Sequence, residues 1–512
     1  MTPVSAPQRD VDPAFAGLPL DILADAALTR ATALGASHVD VRVERILSQH
    51  VAVRDRGLAG LHVGEELGLA VRVVHDGTWG FAAGPDLTPA AARVLAERAV
   101  AVARASRGLR RRPVELADEP VHTGTWVSDY VVDPFDVEVA DVVALLLDRT
   151  GRLLDDPRVD HASATLQQVR ESTFYADLAG TRTLQQRVRV HPEVEALAID
   201  ADAGEVETLR SLAAPAGRGY EYVTGADGVH DWDGELEALP DLLAERLRAP
   251  SLPAGRYDLV IEPSNLWLTI HESIGHATEL DRALGFEANY AGTSFATPDG
   301  LGSLRYGSAV MDVTGDRTEP FGLASVGWDH EGVAAQRWDI VRAGVLVAYQ
   351  LDRSSALLLP GPGPHRSNGC AYAQSSQYVP LQRMANVSLQ PAATGPDALD
   401  LVADVEDGLY VVGDKSWSID MQRYNFQFTA QRFHRIKQGR LVGQVKDVAY
   451  QGRTPDFWSS LEAVGGPATW WLGGTFVCGK AQPGQGAPVS HGAPTALFRG
   501  VRVLNTGEEG RP

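Results

Sequence analysis

The chain has 512 residues, of which 44% are hydrophobic and 22% are charged. This is ordinary globular composition, and at roughly 100–200 residues per domain the length predicts two to four domains. The 66 acidic and 46 basic residues give a net charge of −20, which repels nucleic-acid backbones and otherwise favours simple solubility. We therefore expect no nucleic-acid partner.

The two cysteines, Cys370 and Cys478, exclude a disulfide scaffold and are typical of a reducing compartment. The N-terminal segment has acidic residues and prolines where a signal peptide would have a basic start and an apolar run. No stretch reaches the roughly 18 apolar residues of a membrane-spanning helix. The longest candidate, 139–147, is interrupted by Asp141. The sequence thus predicts a cytoplasmic protein with no membrane partner.

A flexible tail is predicted for residues 1–17, and a first α+β unit for residues 18–125. Its first helix, 18–34, has apolar residues at helical spacing and is followed by a glycine, which favours helix termination. Alternating apolar and charged residues between 39 and 81 predict several antiparallel strands. A threonine followed by proline at the start of 88–106 predicts a capped second helix.

A second α+β unit with a linker helix is predicted for residues 126–250. It begins with a helix near 137–154. Four strands are expected at 162–169, 172–176, 181–190 and 193–199. A short amphipathic helix is predicted for 239–248, with Pro240 in its first turn, where a missing N–H has no cost. A proline-containing linker at 249–255 follows.

The third unit, residues 251–512, differs in composition from the first two. It opens with a strand at 256–262 and a helix that contains His271, and it is then dense in glycine and proline. Short β segments are expected at 338–341, 346–350 and 409–412. The overall fold class is therefore α+β: antiparallel sheets with flanking helices, followed by a largely β C-terminal domain that carries the helix with His271.

A pair of histidines next to a carboxylate is the most informative motif. His271 and His276 are five residues apart, and Glu272 directly follows the first. In the familiar H-E-x-x-H pattern the histidines are four apart and share one helix face. Five residues on a regular helix place the second histidine about 140° off that face. A π-type turn would close i to i+5 bonds, so we predict a widened or broken helical turn at 273–276, which Gly275 makes easier to form.

Two histidines do not complete a catalytic zinc site, which needs a third protein ligand. Glu279, Asp281 and Cys478 are the candidates, and Cys478 is the most attractive because a thiolate binds zinc strongly. Lys480, two residues later, is expected to favour the thiolate form. His491 is interpreted as a loop or core histidine, since its spacing does not require a metal.

Two other functions are weighed against this one. Residues 474–480 match the phosphate-binding pattern G-x-x-x-x-G-K, but Ala481 replaces the hydroxyl residue that contacts magnesium and a loop replaces the following helix. No G-x-S-x-G segment of a serine hydrolase is present. The metal motif is therefore the better basis for a function.

The metal motif resembles that of a known family. The segment HESIGHATELD, 271–281, is similar to the H-E-x-x-x-H segment of the TldD/PmbA family of metallopeptidases. The stretch 473–507 looks like the cysteine-containing end of that family. Residues 329–333 and 383–386 are similar to further family segments. The resemblance covers about residues 20–510 and is strongest after the linker.

The resemblance implies a zinc ion held by His271, His276 and Cys478, with Glu272 as the general base. It also implies substrates that are unfolded peptides or small flexible proteins, gripped in extended form within a dimeric chamber. The expected activity is that of an endopeptidase in peptide-precursor processing or degradation. The partner would be a second copy, or a related subunit that lacks the metal motif.

A different class of function stays open. The chain could be a non-catalytic peptide-binding or regulatory subunit with a structural metal, which would have four ligands and no open position. Glu272 argues against this alternative, because a structural site has no use for that carboxylate. The residue that stabilises negative charge in the transition state is not identifiable from spacing.

Overall fold

One sheet joins both N-terminal units that the sequence predicts. The computed structural model describes residues 9–361, 365–481 and 483–509. The strands of this sheet are His38–Arg54 (β1), Gly57–His75 (β2), Thr78–Gly84 (β3), Thr123–Val127 (β4), His161–Asp177 (β5), Arg182–Asp200 (β6) and Glu205–Arg210 (β7). They pair in the order β3-β2-β1-β5-β6-β4, with β7 also on β6. The predicted unit boundary at 125/126 therefore does not separate two sheets.

The strands β5 and β6 are each continuous where the sequence predicts two shorter strands. β5 pairs with β6 in an unbroken antiparallel register from His161↔Leu197 to Ala176↔Arg182. Pro192, at the predicted break, lies within this ladder opposite Leu166. A proline removes one donor from a strand but does not end it when the neighbouring pairs continue on both sides.

Helices cover this sheet and continue into the second half of the chain. The α-helices are Pro13–Ala16 (α1), Leu20–Ala33 (α2), Pro89–Ser106 (α3), Val139–Leu154 (α4), Tyr220–Thr224 (α5), Trp232–Leu247 (α6), Pro263–Ile270 (α7), Leu280–Ala283 (α8), Arg353–Ala356 (α9), Ala398–Ala403 (α10), Thr454–Ser459 (α11) and Thr506–Glu509 (α12). The Thr88 hydroxyl accepts a hydrogen bond from the Ala91 N–H at 3.1 Å, which confirms the predicted cap of α3. In the described part of the chain, none of these helices has the length and apolar character needed to cross a membrane.

The linker helix α6 begins seven residues before the predicted start at 239. Asp231 caps it by accepting a hydrogen bond from the Gly234 N–H at 3.0 Å. Pro240 therefore lies inside the helix rather than in its first turn, so that prediction is wrong. The helix tolerates the proline because its apolar side chains, including Leu236 and Leu243, are buried against the first sheet.

The segment predicted as a tail, 1–17, is packed against the sheet where the structure describes it; residues 1–8 lie outside the described residues. Phe15 in α1 is fully buried in the core formed by α2, α3 and the sheet. The Asp12 carboxylate pairs with Arg45 at 2.8 Å and with Arg170 at 3.0 Å. An aromatic anchor and two ion pairs hold this segment in place.

The C-terminal half is largely β, as predicted. Its strands are Gly255–Ile261 (β8), Val313–Asp316 (β9), Arg337–Arg342 (β10), Val345–Leu346 (β11), Ala371–Tyr372 (β12), Leu381–Gln382 (β13), Asn386–Leu389 (β14), Asp407–Ile419 (β15), Asn425–Lys437 (β16), Arg440–Val445 (β17), Val448–Arg453 (β18), Leu461–Val464 (β19), Trp471–Lys480 (β20), Gln485–Ala493 (β21) and Ala496–Asn505 (β22). The order β15-β8-β22-β18-β16 closes on itself because β16 also pairs with β15. Against this closed sheet lie the sheet β11-β10-β9-β14 and the ribbon β20-β21.

Buried ion pairs connect the two halves of the molecule. Arg72 in β2 pairs with Asp40 in β1 at 2.8 Å and with Glu331, a loop residue of the C-terminal half, at 3.0 Å. Arg42 in β1 donates to the Tyr378 carbonyl at 2.7 Å. The side chains of Arg72, Asp40 and Glu331 are at most 6% exposed. Such groups must be paired when buried, so the first sheet holds the C-terminal loops in one arrangement.

Gly80 provides a test of how α3 packs on β3. A Cβ atom at this position would lie 1.9 Å from the Ala99 carbonyl oxygen and 2.9 Å from the Ala103 Cβ. We expect Gly80→Ala to lower the free energy of unfolding by about 1–3 kcal/mol, because the helix must move to admit the methyl group. Urea denaturation measures this. The control Gly60→Ala adds a methyl group with no atom within 4 Å. Equal stability of the two variants would contradict the packing.

Candidate metal centre

The helix α7 runs directly into a π turn at His271–Gly275. The His276 N–H donates to the His271 carbonyl, which is the i to i+5 bond that defines such a turn. The widened turn predicted at 273–276 is thus present, beginning two residues earlier. Its wider circumference places two histidines five residues apart on the same side of the chain, and their ring centroids are 4.8 Å apart.

Side chains from distant elements hold the π turn. The Tyr306 hydroxyl donates to the Ser273 carbonyl, and the Trp458 indole N–H donates to the Ser273 hydroxyl at 2.9 Å. The Gln350 amide donates to the Gly275 carbonyl at 2.7 Å. The bonds from Tyr306 and Gln350 satisfy backbone carbonyls that a regular helix would pair internally, and the bond from Trp458 holds the Ser273 side chain.

The two histidines meet Cys478 from the β20-β21 ribbon. One ligand atom from each of His271, His276 and Cys478 lies within 4.8 Å of the others, and all three residues are buried. The Cys478 Sγ is 3.5 Å from the His276 Nε2. The register of β20 shifts between Thr475 and Cys478, a bulge that redirects the cysteine side chain.

The protonation of this cluster fits a transition-metal ion. Burial lowers the pKa of both His271 and His276, which disfavours their charged forms. Burial alone would raise the pKa of the Cys478 thiol, but His276 and Arg383 together lower it below its ordinary value. Two imidazoles and a thiolate are ligands that zinc prefers.

The other predicted ligands, Glu279 and Asp281, lie outside this group of three. Glu279 accepts a hydrogen bond from the His276 Nδ1 at 2.8 Å, so it orients a ligand. Asp281 pairs with Lys480 at 2.8 Å, and Lys480 also pairs with Glu279 at 3.1 Å. Lys480 is thus held by carboxylates, and its expected effect on the Cys478 thiolate stays a prediction.

His491 is a site residue that the sequence analysis missed. Its Nδ1 donates to the Val387 carbonyl at 2.8 Å, and its Nε2 is 2.7 Å from the His271 Nδ1. The first bond requires the proton on Nδ1, so Nε2 accepts from His271. His271 then has its Nε2 free to bind a metal. Only a fold that brings β21 beside α7 reveals this contact, since 220 residues separate the two histidines.

Glu272 lies in the π turn beside the cluster. Its carboxylate accepts a bond from the Arg423 guanidinium at 2.7 Å, and the two side chains are 8% and 13% exposed. Arg423 was not singled out from the sequence, and no spacing connects it to the histidines. The cluster therefore has a buried carboxylate next to one of its histidines, and that carboxylate is held by a cation from a separate hairpin.

A cleft of about 490 Å³ is lined by residues close in sequence to the cluster, although His271, His276 and Cys478 do not line it themselves. It is bordered by Trp267 of α7 and by the residues 474–477 that precede Cys478. Opposite them are side chains of β6, β7 and β15, among them His191, Glu193, Arg210, Asp414 and Trp417. Among the residues that the structure describes, β20 pairs only with β21.

Two buried imidazoles, a cysteine sulfur and an adjacent carboxylate make a site of the kind that metallohydrolases have. Comparison with known proteins agrees with this class. The family model described as the PmbA/TldA metallopeptidase C-terminal domain matches residues 254–505, and PmbA/TldA metallopeptidase domain 1 matches residues 39–103. The chain belongs to the PmbA/TldD family of metallopeptidases.

Curated relatives match almost the whole chain. A protein of Methanothermobacter thermautotrophicus named metalloprotease is 26% identical over 92% of this chain and 96% of its own. A metalloprotease of Synechocystis is 27% identical over 91% of this chain and 95% of its own. The metalloprotease TldD homolog of Haemophilus influenzae is 24% identical over 86% of this chain and 87% of its own.

Solved structures match the fold. A Thermotoga maritima protein described as a candidate modulator of a DNA gyrase has a TM-score of 0.74 at 14% identity, covering 94% of this chain and all of its own. TldE from Thermococcus kodakarensis has a TM-score of 0.69 at 13% identity, covering 94% of this chain and all of its own. These likenesses confirm the α+β fold class predicted from the sequence.

His491 allows a test of the metal site that does not depend on catalysis. We expect His491→Phe to weaken zinc binding about 10–100-fold, because His271 loses the acceptor that orients it. Competition with a zinc-binding dye measures the dissociation constant. The control His161→Phe changes a histidine whose side chain is 45% exposed at the start of β5. Unchanged affinity in His491→Phe would exclude this role.

Proposed function

We propose that the protein is a zinc-dependent endopeptidase acting on unfolded peptides or small flexible proteins. The observation that carries this proposal is the buried group of His271, His276 and Cys478, with Glu272 adjacent to it in the π turn. The names of the relatives, all metalloproteases, support the same reaction class. Peptide-precursor processing and degradation are the two roles that such an activity serves.

Each residue of the cluster has a role in this proposal. His271, His276 and Cys478 would hold zinc through three protein ligands, the number typical of catalytic rather than structural sites. A zinc ion with an open position supplies Lewis-acid activation of water and of the scissile carbonyl. Glu272 takes the proton of the attacking water and passes it to the leaving amine. A purely structural metal would leave this buried carboxylate without a purpose.

The burial of the site supports an extended substrate. The three proposed ligands are at most 5% exposed, so a folded domain could not reach them. An unfolded chain could enter the cleft and pair with β20 on the side away from β21, near Val477, which is 72% exposed. Backbone pairing would orient many sequences alike, and the side chains lining the cleft would select among them.

Exposed apolar side chains near the cleft support a partner subunit. Trp417, which lines the cleft, is 54% exposed, and Met421 in the adjacent hairpin is 55% exposed. We include in the proposal a second copy of the chain, or a related subunit without the metal motif, that covers these side chains and closes the chamber. Activity assays therefore need to report the assembly state of the protein used.

Glu272→Gln tests the proposed reaction. We expect wild type to cleave an unfolded peptide and Glu272→Gln to be about 10²–10⁴-fold slower, because the amide cannot accept the proton of the attacking water. Zinc content should be equal in both. The control Glu65→Gln changes a side chain that is 51% exposed in β2.

Three other outcomes are informative in this experiment. Equal cleavage by wild type and Glu272→Gln would contradict Glu272 as the base. Full zinc content without cleavage by either protein would favour the non-catalytic alternative or a required partner. Cleavage that survives complete removal of zinc by a chelator would contradict the metal as part of the reaction.

A further inference from the structure

The hairpin that carries Arg423 is held by several hydrogen bonds of its own. It connects β15 to β16, and the Asp420 carboxylate organises it. One oxygen of Asp420 accepts from the Gln422 N–H at 3.1 Å and from the Tyr424 N–H at 2.8 Å. The other accepts from the Asn425 N–H at 3.0 Å and from its side-chain amide at 2.6 Å. Four bonds to one carboxylate leave this turn little conformational freedom.

Neighbouring segments hold the same hairpin from outside. The Thr293 N–H donates to the Met421 carbonyl at 2.7 Å, and the Thr454 hydroxyl donates to the Arg423 carbonyl at 2.7 Å. Gly292 approaches so closely that a Cβ atom there would lie 2.0 Å from the Met421 carbonyl oxygen. The backbone around Arg423 is thus fixed by two further parts of the C-terminal half.

Arg423 itself has a strained backbone. Its φ angle is +61°, in the left-handed region that costs a non-glycine residue free energy. A glycine would relieve this strain, yet the position holds an arginine whose side chain reaches Glu272. Strain of this kind persists where the surrounding structure enforces it, and it is frequent at functional sites.

The contact between the two side chains is a single bond. The Arg423 Nη1 donates to the Glu272 Oε2 at 2.7 Å. Within the part of the chain that the structure describes, Oε1 of Glu272 accepts no hydrogen bond, and the buried Nε of Arg423 has no acceptor. A bidentate pair would occupy both carboxylate oxygens, whereas this one holds the carboxylate and leaves one oxygen available.

We infer that Arg423 is the positioning residue of the general base. It holds Oε2 of Glu272 so that Oε1 accepts the proton of the attacking water. This inference rests on the proposed function, because it assigns Arg423 a role in that reaction. General bases must lie within hydrogen-bond reach of the proton they remove, and a carboxylate without a hydrogen-bond partner would not hold one orientation.

A set of matched variants tests this role. Arg423→Gln removes the charge, Arg423→Lys keeps it, and both retain a Cβ at the strained position. The control Arg453→Gln changes a nearby arginine whose side chain is 56% exposed. For each variant, kcat, KM, zinc content and Tm are measured with one unfolded peptide as the substrate. Glu272→Gln and the double variant Glu272→Gln/Arg423→Gln complete a double-mutant cycle with wild type and Arg423→Gln.

We expect Arg423→Gln to lower kcat about 10–100-fold with KM and zinc content nearly unchanged, since it affects proton transfer rather than binding. Arg423→Lys should recover part of kcat, because an ammonium can also make one charged bond to Oε2. In the Glu272→Gln background, Arg423→Gln should cause no further loss of activity. Arg423→Gln should also lower Tm, and the double variant should recover part of that loss, because no buried charge is then left unpaired.

Other results would overturn the inference in distinguishable ways. Wild-type kcat in Arg423→Gln, beside an inactive Glu272→Gln, overturns the inference and leaves the proposed function intact. Equal losses from Arg423→Gln in both backgrounds, or additive effects on Tm, also overturn it, because the two residues would then act independently. Absence of peptide cleavage by wild type, or equal cleavage by wild type and Glu272→Gln, overturns the proposed function and the inference together.

Discussion

The π turn at 271–275 is the constraint on which the site depends. A regular helix would place His276 about 140° from the face that carries His271, and the two imidazoles could not bind the same metal ion. One wider turn brings their ring centroids to 4.8 Å. The turn is stable because Tyr306, Trp458 and Gln350 bond to the backbone and side-chain groups in it. The surrounding C-terminal half therefore determines the local geometry as much as the motif does.

The orientation of the ligands depends on partners as buried as the ligands themselves. His491 fixes the tautomer of His271, and Glu279 does the same for His276 by accepting from its Nδ1. Glu279 is in turn paired with Lys480, so a charge next to the cluster is compensated within the protein. Each of these groups would be costly to bury alone, and each is stable because the next one pairs with it. The side chains of the cluster are thus held in place by contacts within the protein.

Local sequence patterns account for much of this molecule, and the failures have physical causes. The cap and the periodicity of α3 and the alternation of the antiparallel strands between 39 and 81 are local, so these elements were predictable. The histidine spacing predicted the π turn for the same reason. The predicted start of α6 was wrong because Pro240 was given more weight than the Asp231 cap and the apolar face of the helix. His491 and Arg423 could not be assigned roles, since tertiary contacts across 220 and 151 residues create them.

The origin of the site residues links metal binding to folding. The histidines come from the end of α7, Cys478 from β20, and Arg423 from the hairpin that connects two strands of the closed sheet. In an unfolded chain the first and last of the three proposed ligands are separated by more than 200 residues, so a metal there would meet scattered groups. Only the folded C-terminal half presents them together, and an ion that binds this state alone stabilises it. The residues that would perform the chemistry are therefore also positioned to hold the closed sheet, the ribbon and the π turn together.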